Sequence, residues 1–449
     1  MYFRTPIKRI IECDVLVVGG GVAGFSAAVS ASKCGAKVIL AEQNGYLGGC
    51  ATSGLVSPFM TCYDSKGEEQ IIKGIFEDTV QSLINKGGAK HPKECRKCDS
   101  FSGYKLRGHL GTTPFDKETL KYVLEKTCEE NGVLLKYHFM LVGVKVTKKR
   151  IRSCVFATTS GFYEIKAKQF IDCSGNADLT CLAGGEFEFS DSNGQLQPPS
   201  TFMLIDGVDK QELDGAILNN NNERARAFMD IVADEKANGR FPCGTPKVRV
   251  YEQMNGIWSI NMCQIDEPFD VNDIELVAKA EIEGREQAQI IFDMLKRRVP
   301  GMKNIRLIQT SETLGIRESR RIKGEYKLTL DDITSSKVFD DAIAVVASSV
   351  DVHTQGAVNY KPFTNAKPYT IPYRALVHKD FDNLLGAGKI VSTDRFAHGA
   401  IRVMPPSFAT GQAAGVGAAL CVKTKTKCKE VDIGLLQKTL IEQGVYLQK

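Results

Sequence analysis

A chain of 449 residues, 43% hydrophobic and 25% charged, has the balance of a globular protein and enough length for a large core and two domains. A net charge of +5 is too mild to call for nucleic acid as a partner, though it suits an anionic cofactor or substrate. Fourteen cysteines in so long a chain exclude a small disulfide scaffold, and their single, apolar placement (Cys13, Cys173, Cys421) reads as free buried thiols in a reducing cytoplasm.

The first apolar run, Cys13–Val18, is short, β-branched and ends in glycines, as a buried parallel strand does. Ala23–Cys34 is a small-residue helix closed by Gly35, and AKVILAE is the second strand, which completes a βαβ unit. Val15–Ser32 and Val403–Cys421 are long enough to raise the question of a membrane span. Both are rich in Gly, Ala and Ser, so their drive into lipid is weak, and no membrane association is expected. Asp116–Asn131 reads as a helix with Asp116 as its cap. The stretch after it alternates through a strand, a hairpin or meander, and the buried strand QFIDCS. A polar, proline-bearing segment, Gly194–Pro199, leads into mixed strands (FMLIDGV, KVRVYEQ, WSINMCQI) and a polar helix around Asn221–Asn238. Asp270–Arg298 is a long amphipathic helix ended by Pro300 and Gly301. From Tyr369–Tyr373 the chain is expected to return to the first domain, with a strand in DNLLGAGKI and a small-residue helix at Ser407–Cys421.

Gly19-Gly20-Gly21-Val22-Ala23-Gly24 is a G-x-G-x-x-G between a strand and a helix, and Glu42 stands eighteen residues after Gly24 at the end of the next strand. Gly19 permits the tight turn, Gly21 lets the main chain approach a pyrophosphate, and Gly24 allows close helix–strand packing. The free N–H groups around Val22 and Ala23 favour a phosphate, and Glu42 suits a ribose diol. This unit alone does not separate FAD from NAD.

Further segments carry a resemblance. Gln43 and then Gly48-Gly49-Cys50-Ala51-Thr52-Ser53-Gly54 resemble the second glycine segment of glutathione-reductase-like flavoproteins. QFIDCSGNAD, with Ser174, Gly175 and Asp178, resembles their strand over the adenosine half. NLLGAGKI, with Gly388, resembles the late strand beside the ribityl chain, and the helix from Pro405-Pro406 resembles the one facing the flavin pyrimidine. The chain thus resembles FAD-dependent oxidoreductases, distantly those of succinate dehydrogenase and fumarate reductase. The resemblance implies an α/β fold: a Rossmann-like FAD-binding domain, with a parallel sheet and a three-stranded meander, plus an inserted α+β substrate domain. The expected boundaries are 1–195 and 369–449 for the FAD-binding domain and 196–368 for the insert. It implies FAD contacts at Gly19, Gly21, Val22, Ala23, Gly24, Glu42, Gln43, Gly48, Gly49, Cys50, Thr52, Val142, Ser174, Gly175, Asp178, Gly388, Met404, Gln412 and Ala413. No His lies between Gly45 and Gly67, where covalent relatives attach the flavin, so non-covalent FAD is expected.

The same resemblance nominates His353 of His353-Thr354-Gln355-Gly356, and His398 and Arg402 of His398-Gly399-Ala400-Ile401-Arg402, with Ile401 in place of Asn. Arg317, in Arg317-Glu318-Ser319-Arg320-Arg321, is the fourth candidate; its run of basic residues equally fits a solvated or salt-bridged face. Hydride exchange at flavin N5 leaves a proton to be handled, which suits His, and Arg offers a planar fork for a carboxylate. The expected activity is dehydrogenation or reduction of a small oxygenated or carboxylated molecule. The alternative is a flavoprotein that passes electrons to a redox partner protein. Cys95 and Cys98 form a C-x-x-C that could be half a zinc site, a redox pair or a polar loop; no metal is expected. Cys50 lacks the partner spacing of disulfide reductases, and no second G-x-G-x-x-G offers an NAD(P)H site.

Overall fold

The computed structural model describes residues 6–60, 62–94, 112–190, 194–219, 228–353, 359–360 and 367–447. The chain opens with β1 (Ile7–Glu12) and the fully buried β2 (Val15–Val18), followed by α1 (Val22–Lys33) and β3 (Val38–Ala41). α2 (Ile75–Asn85) and α3 (Lys117–Glu130) come next. The side chain of Asp116 accepts from the Thr119 N–H, so the expected cap holds α3. β4 (Leu134–Lys136), β5 (Met140–Thr147), β6 (Arg150–Thr158), β7 (Gly161–Lys166) and β8 (Gln169–Asp172) follow, then the short α4 (Asp178–Leu182).

In the middle of the chain lie β9 (Phe187–Glu188), β10 (Met203–Asp206), α5 (Lys210–Asn219), α6 (Met229–Ala237), β11 (Val250–Glu252) and β12 (Trp258–Ile260). The long α7 (Ile274–Arg298), capped by Asp273, leads to β13 (Arg306–Thr310), β14 (Arg321–Ile322) and α8 (Leu330–Thr334). β15 (Ala342–Val346), β16 (Val352–His353), β17 (Asn359–Tyr360), β18 (Tyr369–Pro372) and β19 (Leu384–Gly386) precede α9 (Arg395–Ile401), α10 (Met404–Thr424) and α11 (Ile433–Glu442).

Among the described residues the central sheet has the order β19-β8-β2-β3-β4, with every pairing parallel. β2, β3, β8 and β19 are buried on both faces, as a covered parallel sheet requires, while the edge strand β4 exposes Leu134. β5, β6 and β7 form the antiparallel meander, and β1 adds to β7 in parallel as a further strand that the sequence reading did not foresee. A separate antiparallel sheet, β11-β12-β10-β13, packs with α7 around its own core of Met203, Trp258, Ile291 and Leu295. The main core holds β2, α1 and β3 together with Leu328, Ile343–Val346 and Val352. Apolar packing against the first unit therefore resumes well before Tyr369, where the sequence placed the return.

α10 lies directly on α1. A Cβ on Gly411 would stand 2.1 Å from the Ala23 carbonyl oxygen, and one on Gly415 would stand 2.1 Å from that of Ala27. The small-residue stretch that raised the question of a membrane span is thus a backbone-to-backbone helix contact. Among the described residues no helix is long and apolar enough to cross a membrane.

Candidate active site

The strand–glycine–helix turn is built as its spacing requires. Gly19 has φ +97°, and a Cβ there would meet the Cys173 carbonyl oxygen at 2.4 Å. A Cβ on Gly24 would lie 1.8 Å from the Gly19 carbonyl oxygen, so helix and turn pack only through glycine. Gly21 differs: its Cβ would meet nothing nearer than the Gly49 Cα at 4.0 Å, which leaves space beside the N-terminus of α1. Glu42 is buried and spans the turn. One carboxylate oxygen accepts from the Gly20 N–H at 2.6 Å and the other from the Asn44 N–H at 2.8 Å. Each oxygen keeps a further lone pair for a diol. Burial pushes the Glu42 carboxyl above its usual range.

The second glycine segment folds back on this turn. Gly48 (φ 112°) bridges Gly21 and Gly49 (φ 53°) touches it, while the Thr52 hydroxyl donates to the Leu47 carbonyl at 2.9 Å and shapes the loop. Cys50 at its head is exposed. On β5 a register shift between Leu141 and Gly143 falls at Val142, which is exposed. At the end of β8, buried Asp172 accepts from the hydroxyls of Ser174 (2.7 Å) and Thr180 (2.8 Å) and so fixes the turn that holds Ser174 and Gly175.

A second constellation gathers residues from distant segments. Gly399 lets α9 approach the start of β16, since a Cβ there would stand 2.8 Å from the Val352 side chain and 2.9 Å from the Asp351 carbonyl. This sets Arg402 beside Asp351 and His353, with His398 near Arg402 and Lys389. Asp351 Oδ2 lies 3.2 Å from His353 Nε2 and 3.4 Å from an Arg402 terminal nitrogen, which also donates to the Asp351 carbonyl at 3.2 Å. A bridge between Ser200 and Gly315 brings in the next segment: the Arg317 guanidinium donates to the Pro198 carbonyl, and Glu318 accepts from the Gln197 N–H at 3.0 Å. Gln197 in turn accepts from the His353 N–H at 3.1 Å.

Charge in this constellation is unbalanced. Buried Glu318 answers Arg321 at 2.7 Å and Arg395 at 3.3 Å. Asp351 faces both Arg402 and Arg317, and Lys389 donates to the Ile316 carbonyl at 2.8 Å. Burial, followed by the neighbouring Arg402 cation, pulls Arg317 down to about 9. Burial also lowers Arg402 and Lys389. His353 is pushed down to about 3 by burial and then by Arg317. His398 goes well below its usual value through burial and Arg321. Several polar atoms here are buried without a hydrogen-bond partner: Arg402 Nε, His353 Nδ1 and Gln197 Nε2. Such orphaned polar atoms, set among the Arg317, Arg402 and Lys389 cations, are the lining an anionic ligand would complete.

A family model described as FAD dependent oxidoreductase matches residues 14–440. The chain belongs to that family. Among curated relatives, it is 47% identical over 47 residues to thiamine thiazole synthase of Aeropyrum pernix, covering 10% of this chain and 17% of that protein. It is 42% identical over 75 residues to a fumarate reductase (cytochrome) of Shewanella frigidimarina, covering 16% of this chain and 13% of that protein. The matched parts thus span less than a fifth of either relative's length. Among solved structures, a geranylgeranyl bacteriochlorophyll reductase-like protein of Thermoplasma acidophilum aligns over 97% of this chain and 85% of its own, at 11% identity and a TM-score of 0.47.

The oxidoreductase thus has the FAD-binding α/β fold expected from its glycine segments. His353, Arg402, Arg317 and His398 meet in one place. Three expectations need correction. Gln412 does not face a cofactor: its Oε1 accepts from the Ile75 N–H at 3.1 Å and its Nε2 donates to Gln443, so it ties α10 to α2 and α11. Ala413 is fully buried in the main core and has no surface to offer. The histidines are not near-neutral groups, because burial among cations keeps both uncharged. Asp178 is held by Arg320 at 3.0 Å, Gln43 is exposed, and Met404 begins α10. Arg317–Arg321 is salt-bridged rather than solvated: Glu318, Ser319 and Arg321 are buried, Arg321 pairs with Glu318 and Arg320 with Asp178. The sequence reading missed Asp351, Gln197, Asp172, Lys389 and Arg395. Only Asp351 carried a signal, an acidic side chain two positions from a nominated His. Cys95 and Cys98, and Thr354–Gly356, lie outside the described residues.

Proposed function

We propose that this oxidoreductase dehydrogenates or reduces a small carboxylate-bearing molecule by hydride exchange with flavin N5. The observation that carries the reading is the buried cationic constellation, in which Arg402 Nε and His353 Nδ1 have no partner. FAD would lie with its pyrophosphate at Gly21, Val22 and Ala23 and its ribose diol at Glu42. Gly48–Cys50, Thr52, Ser174, Gly175 and Gly388 would line its length, and the main chain at Val142 would read the adenine edge. The open space at Gly21 and the oriented carboxylate of Glu42 fit this placement. Bound without a covalent link, FAD supplies the acceptor or donor of hydride.

The chain's own residues then bind substrate and manage its proton. Arg402 clamps the substrate carboxylate through its planar fork. Neutral His353 gives its Nε2–H to Asp351, which leaves the Nδ1 lone pair to accept a substrate hydroxyl proton once the substrate carboxylate offsets the Arg317 and Arg402 cations that help depress it. Asp351 steadies the imidazolium that results, and in the reverse direction the same atom returns the proton. Arg317, lowered by burial, and His398 complete the polar wall and assist this transfer. The free state of the described cysteines supports a reducing, cytoplasmic setting.

The test is anaerobic mixing of the FAD-loaded protein with matched pairs of small hydroxy or enoic acids and their methyl esters, following flavin absorbance. Acids are expected to change the flavin redox state and esters to do so at least tenfold more slowly. Arg402→Met should remove that preference. Equal rates for acids and esters in the unaltered protein would rule the reading out.

A further inference from the structure

A cavity of about 210 Å³ lies where the second glycine segment meets the sheet β11-β12-β10-β13. Its apolar lining is Leu55, Phe115, Leu204, Met254, Ile257 and Ile308. Leu55, Phe115 and Leu204 are buried at its base, while Ile308 is 49% exposed, so the cavity has an entrance. Leu55 holds a left-handed backbone (φ 53°), a conformation costly for a branched side chain, directly after the glycine segment.

One polar group in this wall is unanswered. Gln253 is 7% exposed, its N–H donates to the Ile257 carbonyl at 2.7 Å and its Nε2 donates to the Tyr251 carbonyl at 3.3 Å. That bond fixes the amide orientation and leaves Oε1 as the acceptor, and Oε1 is buried with no partner. The charged side chains of the wall are already engaged. Asp116 caps α3, Lys117 holds Gln309, and Glu118 pairs with Lys121 at 3.1 Å. A buried acceptor without a donor is costly, so the cavity is suited to a ligand that brings one.

We propose that this cavity is a binding site for a single six-membered or similarly compact ring carrying one hydroxyl or N–H group, with the ring against Leu55, Leu204 and Ile257 and the donor on Gln253 Oε1. The volume sets the size: an apolar protein cavity of roughly 150 Å³ takes a benzene ring, so this one takes a ring and one substituent. The mixed lining sets the chemistry, because apolar walls with one placed polar group are the usual form of a small-molecule site. The inference stands on this cavity alone and is independent of the carboxylate reading.

The test uses 4-fluorophenol and 4-fluorotoluene with the FAD-loaded protein, followed by fluorine NMR. Saturable binding of 4-fluorophenol is expected, and it should weaken about tenfold in Gln253→Leu. Binding of 4-fluorotoluene should be weaker than that of the phenol and unchanged by Gln253→Leu. Ile257→Trp, which fills the cavity, should abolish both, with FAD content and circular dichroism confirming that the variant folds. Absence of saturable binding, equal affinity for the two probes, or binding that survives Ile257→Trp in the folded variant would each overturn the proposal.

Discussion

Two glycines of the same motif should fail in different ways. Gly24→Ala places a methyl group 1.8 Å from the Gly19 carbonyl oxygen, a main-chain atom that cannot step aside, and a Cβ is itself fixed by its own backbone. Alanine gains about 1 kcal/mol over glycine inside a helix, but overpacking of this kind costs about 1–3 kcal/mol or more. With two backbones in contact the cost lies at the upper end, so the apoprotein should lose about 2 kcal/mol. Gly21→Ala meets nothing nearer than 4.0 Å and keeps an extended backbone (φ −62°, ψ 177°) that alanine adopts freely. Its apoprotein should match the unaltered one within about 0.5 kcal/mol. The methyl group instead enters the space proposed above for the pyrophosphate, and FAD affinity should fall at least tenfold, about 1.4 kcal/mol. At an FAD concentration of about 100 times the original Kd, stabilisation by ligand should drop from about 2.7 to about 1.4 kcal/mol. Thermal melting of each variant with and without FAD reads both effects. A Gly21→Ala apoprotein that melts as low as Gly24→Ala, or one that gains the full shift with FAD, would refute the assignment of that space to the cofactor.

Three further perturbations follow from the same geometry. Glu318→Gln leaves Arg321 and Arg395 without their buried carboxylate and should cost about 3–5 kcal/mol, read from the denaturant midpoint; a shift under about 1 kcal/mol would contradict the pairing. His353 has a folded value of about 3 against 6.5, so the unfolded chain binds the extra proton between them. Stability is therefore complete above pH 6.5 and is lost as pH falls towards 3, with a limiting slope of about 1.4 kcal/mol per pH unit. His353→Gln should flatten that slope, and an unchanged slope would show that other groups dominate it. Asp116→Ala removes the cap of α3 and should cost about 1 kcal/mol, measured in the same denaturant titration.

What could be read from the sequence was whatever depends on near neighbours along the chain. Gly19, Gly24 and Glu42 constrain one turn between consecutive elements, and short spacing alone brings them together. Asp116 caps the helix that follows it for the same reason. β1 was invisible because its partner is β7, far along the chain, and its residues IKRIIE carry no alternation to mark a buried face. Gln412 was misread because its place in a helix is a local property and the direction it faces is not: α2 and α11 decide that. The catalytic nominations show the opposite case. Their motifs depart from the family pattern at Ile401 and around His353, yet Gly399 and the Ser200–Gly315 bridge still draw His398, Arg402, His353 and Arg317 to one point. The charge state of that point could not be read from residue types, since an isolated His suggests a proton carrier near neutral pH. Burial beside two arginines makes His353 a neutral acceptor instead, held in one tautomer by Asp351. On the function proposed above, the difference is testable through direction: a neutral base beside a guanidinium whose Nε is unpartnered would receive a protonated hydroxyl and a carboxylate on one molecule, the arrangement a hydroxy acid brings.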